Sequence, residues 1–389
     1  MSTNLAQLHH QVMFGQSGGK IIWQPRIGGW YYDKKFMGQP LGEPYTGMSY
    51  VELFRSLGCS ARIYDYGDCF KRIEHPQVRH IWQDAGSGER IKPPQVPQSR
   101  HEVDTRKKQH IIETPAGTQV EIVRQSPNNQ GTIHVKWEVA SEEELKVATW
   151  REENTTWQWD QERYEAIRFE WGDMGAPTAY LPRMNVQSLY LNKMGIQAGI
   201  YAICDWPDTT EGYFRALEES HERLIDVVNA CPIDIINFGE NIHASTLSSE
   251  LFVKYHLPTC QRRCERLHAA DKFVHSHWDG DTKPLLAYAK QTGLDGIEAI
   301  TPQPQGDVTL EEVKEALGDE MVLLDGIPAI YFDDMFPIEV LTDCAHKIIE
   351  LFAPRLVLGI SDEISSTGDI ERIGVVGEIV DEYNARFDT

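Results

Sequence analysis

The chain has 389 residues, 41% of them hydrophobic and 25% charged, an ordinary balance for a folded globular protein with a large core. With 37 Lys and Arg against 59 Asp and Glu, its formal charge is −22, which argues against nucleic acid or an anionic membrane as the main partner. No stretch approaches the about 18 apolar residues of a membrane span, the first twenty residues lack a secretory layout, and seven scattered cysteines without a CxxC pair read as reduced thiols. A cytoplasmic protein is expected.

In chain order, KIIWQPR reads as a first strand, SYVELFRSLG as a helix and ARIYDYG as a second strand. Residues 70–150 then break the pattern. They are rich in Pro, Gln, Lys and Arg at first, and continue as alternating segments around the turn signal Thr114-Pro115-Ala116-Gly117. This predicts an inserted small antiparallel β subdomain, with Trp150, Trp157 and Trp159 packing behind it. PTAYLPR is a further strand, followed by the helix NVQSLYLNKMG. From about residue 230, the apolar runs IDIINFG, FVHSH, GIEAI, MVLLDGI and LVLGIS alternate with amphipathic helices, the signature of parallel β/α units. The strand candidates number eight, which predicts an α/β fold of (β/α)8 TIM-barrel type, one domain over residues 1–389 with the insertion at 70–150.

Candidate chemistry gathers at strand ends. In FVHSHWDGD, the period of two puts His275, His277 and Asp279 on one face, and two imidazoles with a carboxylate are costly to bury without a partner. Strand-end histidines also cap carbonyls, and Asp279-Gly280 alone is an ordinary turn or N-cap. His277 is expected to face the barrel mouth and His275 to lie one pleat deeper. Glu240, Asn241 and His243 follow another apolar strand, Asp325 sits in LLDGIP, and Asp362 and Glu363 follow the last strand. All strand C-termini of a barrel share one mouth, so these residues can converge although far apart in sequence. For Glu240 and Asp325, helix capping and turn chemistry are the competing readings. Arg26 ends the first strand and suits a substrate carboxylate; Glu298 and Thr301 line the adjacent strand. Trp30 and Tyr31 read equally as pocket wall or as core.

Two motifs carry a family resemblance. Trp23-Gln24-Pro25-Arg26-Ile27-Gly28-Gly29-Trp30-Tyr31 resembles the W-x-x-R-Q-A-G-R-Y pattern of uroporphyrinogen decarboxylases, with Trp30 in place of the second arginine. His277-Trp278-Asp279-Gly280-Asp281 is similar to the H-x-C-G-N pattern of the cobalamin-dependent methyltransferases in that superfamily, with Asp279 in the cysteine place. Asp362 or Glu363 stands where those methyltransferases supply another cysteine. The resemblance implies a barrel enzyme, with a homodimer plausible. The first reading is metal-assisted methyl transfer. A divalent metal (zinc, with iron or manganese as alternatives) would be held by His277, Asp279, Glu240 and Asp362 or Glu363, and a corrinoid would arrive on a partner protein or free. The alternative is decarboxylation of uroporphyrinogen or another carboxylated aromatic, with Arg26 on a carboxylate and Asp65 or Asp68 stabilising charge on the ring. A non-catalytic tetrapyrrole-binding barrel is a third reading. In each case Trp30, Tyr31, His243 and Asp325 join Arg26 as substrate-side candidates.

Overall fold

The computed structural model describes residues 4–388. Thirteen strands are formed: β1 (Ile22–Gln24), β2 (Phe70–Ile73), β3 (Arg79–Asp84), β4 (Lys108–Thr114), β5 (Gly117–Gln125), β6 (Thr132–Lys136), β7 (Thr156–Trp159), β8 (Thr178–Leu181), β9 (Ile235–Ile242), β10 (Phe273–Trp278), β11 (Gly296–Glu298), β12 (Val322–Ile327) and β13 (Leu356–Ile360). Seven of them make one curled sheet in the order β1-β13-β12-β11-β10-β9-β8, every pair parallel. The order runs in one direction with no switch point, as a singly wound β/α sheet requires. Strands β3 to β6 form a separate four-stranded antiparallel sheet, and β2 pairs with β7.

The eighth strand read in ARIYDYG does not form. Tyr64–Cys69 instead coils into a short 3₁₀ helix, and Cys59–Ile63 runs extended without a ladder. This segment still fills the gap between the sheet edges. Ser60 N–H donates to Trp23 O of β1, and Ala61 N–H donates to Met174 O ahead of β8, at 2.9 and 2.8 Å. Gly175 permits that approach, since a Cβ there would lie 2.2 Å from Ala61 O. The result is a half-barrel of seven strands with a seam where the eighth would stand.

Inward and outward residues alternate along the strands. At the N-terminal ends, Ile22, Ile235, Phe273, Val322, Leu324 and Val357 pack with Leu8, Val12 and Met13 of the helix Leu5–Met13, which seals that end with apolar surface. One pleat further on, the inward residues turn polar: Gln24, Asn237, His275 and Glu298, all buried. Outward residues meet the helix layer. Trp23 donates its indole N–H to Ile373 O, and Trp278 packs edge-on against Phe252. Sealing one end and placing polar groups toward the other leaves the C-terminal strand ends as the place for chemistry.

Some elements are shorter than the sequence suggests, and the backbone shows why. Pro25 lacks the N–H to continue β1. Ala299 takes a left-handed φ of 67° and ends GIEAI after Glu298. The helix expected at KPLLAYAKQTG is a 3₁₀ run, Lys283–Gln291. No helix among the described residues is long and apolar enough to cross a membrane.

Candidate active site

Register builds the centre of the site. Asn237 on β9 is the pairing neighbour of His275 on β10, and His277 is the neighbour of Glu298 on β11. Their side chains therefore meet inside the sheet. Asn237 Nδ2 donates to Glu298 Oε2 at 2.6 Å and lies 3.1 Å from His275 Nδ1. His277 Nδ1 lies 2.9 Å from Glu298 Oε1, and its Nε2 is 3.7 Å from Asp279 Oδ2. The deeper His275 is 1% exposed, whereas the His277 side chain is 14% exposed.

Arg62 is the cation of this centre, and it comes from the seam. Its NH1 lies 3.2 Å from Glu298 Oε1, and its two terminal nitrogens donate to Asp325 at 3.2 and 2.6 Å in a fork-on-fork pair. Asp325 reaches inward against the strand's alternation. Leu324 already faces in, and a left-handed φ of 80° at Asp325 turns the next side chain the same way. Such a φ at a non-glycine residue costs on the order of 1–3 kcal/mol and persists only where the surroundings enforce it. Gly359 leaves the room, because a Cβ there would sit 2.3 Å from Asp325 Oδ1.

One guanidinium thus faces two buried carboxylates, and His277 completes the balance when protonated. Burial opposes the charge of Glu298, but Arg62 and His277 outweigh it and hold this carboxyl well below its ordinary range. Burial pushes Asp325 up, against the pull of Arg62. For His277, burial opposes the imidazolium, yet Asp279 and Glu298 together raise its pKa above the usual 6.5. Burial pushes His275 the other way, to about 4, so it is neutral at pH 7. Adjacent imidazoles on one face are thus pushed in opposite directions, His275 by burial and His277 by its two carboxylates.

Around this centre, Arg26 NH1 donates to Ser361 O, and its buried Nε has no hydrogen-bond partner. Glu363 Oε1 is 3.7 Å from that Nε, while Oε2 accepts from Gly29 N–H. Tyr64 packs on Tyr180 with ring centroids 4.8 Å apart and remains 45% exposed. His243 lies beside Gly280, its Nε2 3.1 Å from Thr246 Oγ1.

Other sequence candidates are not brought to this cluster. Glu240 falls in an irregular stretch of β9, between Phe238 and Ile242, where pairing with β10 slips. Its carboxylate accepts from Met184 N–H at 2.7 Å and feels Arg263 and Glu218 of the helix layer. Asp362 is exposed and accepts from Glu363 N–H. Asp68 is also exposed and pairs with Arg163. Trp30 and Tyr31 are core residues, each 2% exposed, with the indole N–H on Gly368 O and the phenol on Met48 O. The metal set His277, Asp279, Glu240, Asp362 and Glu363 therefore does not assemble. His277 Nδ1 is engaged by Glu298, and Glu363 serves Arg26 and a helix start. Among the described residues, no three His, Cys, Asp or Glu side chains are arranged to hold a metal ion.

Glu240 gives a prediction of its own. Burial raises its pKa from 4.5 to about 7, so the folded chain binds more protons than the unfolded one between those values. Stability then falls as pH rises across that window. Glu240→Gln keeps an oxygen for Met184 N–H and removes the titration. Denaturant midpoints of the variant are expected to equal or exceed wild type above pH 7, with the pH slope between 5 and 7 reduced.

Sequence reading missed Arg62 and Asn237. Arg62 sat in a segment read as an ordinary strand, and Asn237 lay inside an apolar run. A signal was present for Asn237: it is the lone polar residue of IDIIN at an inward position.

No family model and no curated protein matches the sequence. Among solved structures, a methyltransferase from Methanosarcina mazei aligns at 13% identity over 67% of this chain and 75% of its own, with a TM-score of 0.49. A type I 3-dehydroquinate dehydratase from Clostridium difficile aligns at 14% identity over 57% and 75%, TM-score 0.32. A D-psicose 3-epimerase solved in the presence of D-fructose aligns at 10% identity over 64% and 94%, TM-score 0.35. These likenesses are remote and say nothing of what this chain does.

Proposed function

We propose that this chain is an enzyme that decarboxylates a small carboxylated aromatic or pyrrolic substrate, with His277 as the proton donor. The observation that carries the reading is the Arg62–Glu298–His277 relay. Glu298 is kept ionised by Arg62 and fixes His277 through Nδ1, which leaves Nε2 directed at Asp279. A histidine held this way, with its pKa raised, suits general acid catalysis near neutral pH.

Arg26, whose Nε makes no hydrogen bond and has only the 3.7 Å ion pair with Glu363, can turn to a substrate carboxylate, and Tyr64 on Tyr180 offers an aromatic wall for a ring. His277 delivers its Nε2 proton to the ring carbon that bears the carboxylate. The C–C bond then breaks, its electron pair restores the ring, and CO2 leaves, so one proton is consumed for each CO2 formed. Asp279, whose side chain is 31% exposed, returns a proton to His277 from solvent.

The same strand end supports the methyl-transfer reading less well, because His277 and Asp279 are two donors where a zinc site of that kind needs three or more. The two readings separate in one experiment. The full chain is incubated in D2O with uroporphyrinogen and a panel of aromatic carboxylates, and products are analysed by mass spectrometry. Loss of CO2 with gain of one deuterium, insensitive to chelators and absent in His277→Gln, is the expected result. No CO2 loss, together with zinc-dependent methyl transfer from methylcobalamin to a thiol, would overturn the proposal in favour of one-carbon transfer.

A further inference from the structure

The antiparallel sheet β3 to β6 has one covered face and one open face, and strand alternation decides which residues go to each. On the covered face Ile112 and its pairing neighbour Gln119 are buried, as is Val123. Gln119 Nε2 donates to Glu144 O of the helix Glu142–Glu153, and Gln125 Nε2 donates to Gln95 O, so that helix and the loop before β4 lie over this side. The other side carries Ile81, Ile111, Val120, Ile122, Ile133 and Val135. Ile81 pairs with Ile111, Ile111 with Val120, and Ile133 with Arg124, which continues the row from Ile122. Val135 is exposed and the other five are half-buried. Among the described residues, none of the six packs against the hydrophobic core.

Six β-branched side chains side by side on an open sheet make the kind of contiguous apolar patch that marks an interaction surface. Charge and area say what covers it. Residues 71–140, which hold the sheet, carry 11 Lys and Arg against 8 Asp and Glu, whereas the rest of the chain carries 26 against 51. Two copies with a formal charge of −22 repel one another, and contact through the inserted sheet keeps their acidic parts on the far sides. The rim of the face is also matched to itself. Arg79 pairs with Glu113 near the β4–β5 turn, and Arg124 stands at the opposite end of the strands. Four strands about 4.8 Å apart, rising about 3.3 Å per residue, give a face of roughly 20 by 20 Å. Two such faces bury on the order of 1,000 Å² between them, the lower limit of a specific interface.

We propose that two copies of this chain pair through the open face of the inserted sheet, about a two-fold axis that crosses the strands. That axis lays sheet on sheet, with the aliphatic side chains interleaved between them. It also sets the Arg124 end of each copy over the Arg79–Glu113 end of the other, so each Arg124 meets a carboxylate, as a self-complementary contact requires. The pairing is independent of the decarboxylase reading, since the surface shares no residue with the His277 centre.

The test is sedimentation equilibrium of the full chain. Wild type is expected to approach twice its chain mass of 44.4 kDa as concentration rises through the micromolar range. Ile111→Glu puts a carboxylate at the centre of the face and is expected to weaken pairing at least tenfold, with the circular dichroism unchanged. Val120→Thr with Ile122→Thr makes the face polar but keeps β-branched strand formers, so it carries the same test if the glutamate variant misfolds. Arg124→Glu is expected to weaken pairing, and adding Glu113→Arg to recover part of the loss. Phe169→Ser removes the most exposed large apolar side chain, which lies outside the sheet, and should pair as wild type does. A wild type still monomeric at about 100 µM, unchanged pairing in the folded face variants, a charge swap without recovery, or loss of pairing in Phe169→Ser overturns the proposal.

Discussion

Replacing His277 by glutamine is expected to lower turnover by about 10²–10⁴-fold, the usual contribution of a positioned acid or base, while leaving the fold intact. Glutamine retains a hydrogen-bonding group for Glu298, and Glu298 keeps Arg62 and Asn237. The stability cost should therefore stay near 1 kcal/mol, the net worth of an ordinary hydrogen bond. The pH profile discriminates the role. The acid form is the active one, so kcat/KM falls as pH rises through the raised pKa of His277. Stability follows the same sign. A histidine whose folded pKa exceeds its unfolded value of 6.5 contributes fully below 6.5, and that contribution is lost as pH rises through the folded value. Steady-state rates and denaturant titrations between pH 5 and 9 read both. A variant as active as wild type, or a wild-type rate that climbs with pH, would remove His277 from the acid role.

The largest effect on folding is expected at Arg62. Arg62→Met removes the cation shared by Glu298 and Asp325 and leaves two buried carboxylates facing each other. Breaking a buried pair in this way costs about 3–5 kcal/mol, which a urea titration resolves. The loss should shrink at acid pH, where the orphaned carboxyls take up protons. Exchanging all three charged groups together, as Arg62→Met with Glu298→Gln and Asp325→Asn, should recover part of the loss, since no ionised group then remains buried without a partner. A single variant as stable as wild type at pH 8 would show that water reaches this centre freely.

Periodicity made the strand chemistry legible and the seam illegible. Alternation along FVHSHWDGD places His275 and His277 inward, because a regular strand has only two faces. The same rule gave no access to Asp325, whose inward turn depends on one left-handed residue, nor to Glu240, which lies where pairing with β10 slips. Those are local departures from strand geometry, and an apolar run with a glycine beside it reads the same with or without them. Arg62 was hidden for a different reason. ARIYDYG has the composition of a strand, and only the two isolated backbone bonds, Ser60 to Trp23 and Ala61 to Met174, show a segment that occupies a strand's place without a strand's ladder. Residues such as Trp30 and Tyr31 were ambiguous on sequence because an aromatic near a strand end serves core and pocket alike. Their polar atoms, both bound to backbone carbonyls, settle them in the core.

The seam has a consequence for solubility. Strands β1 and β8 are the two free margins of the sheet, and a bare margin of parallel strands is a template for pairing with another chain. Here the cover over both margins is held by two backbone hydrogen bonds and by the side chain of Arg62, which reaches across to β11 and β12. The guanidinium that balances the two buried carboxylates is thus also the clasp over the margins, and its loss is expected to favour self-association.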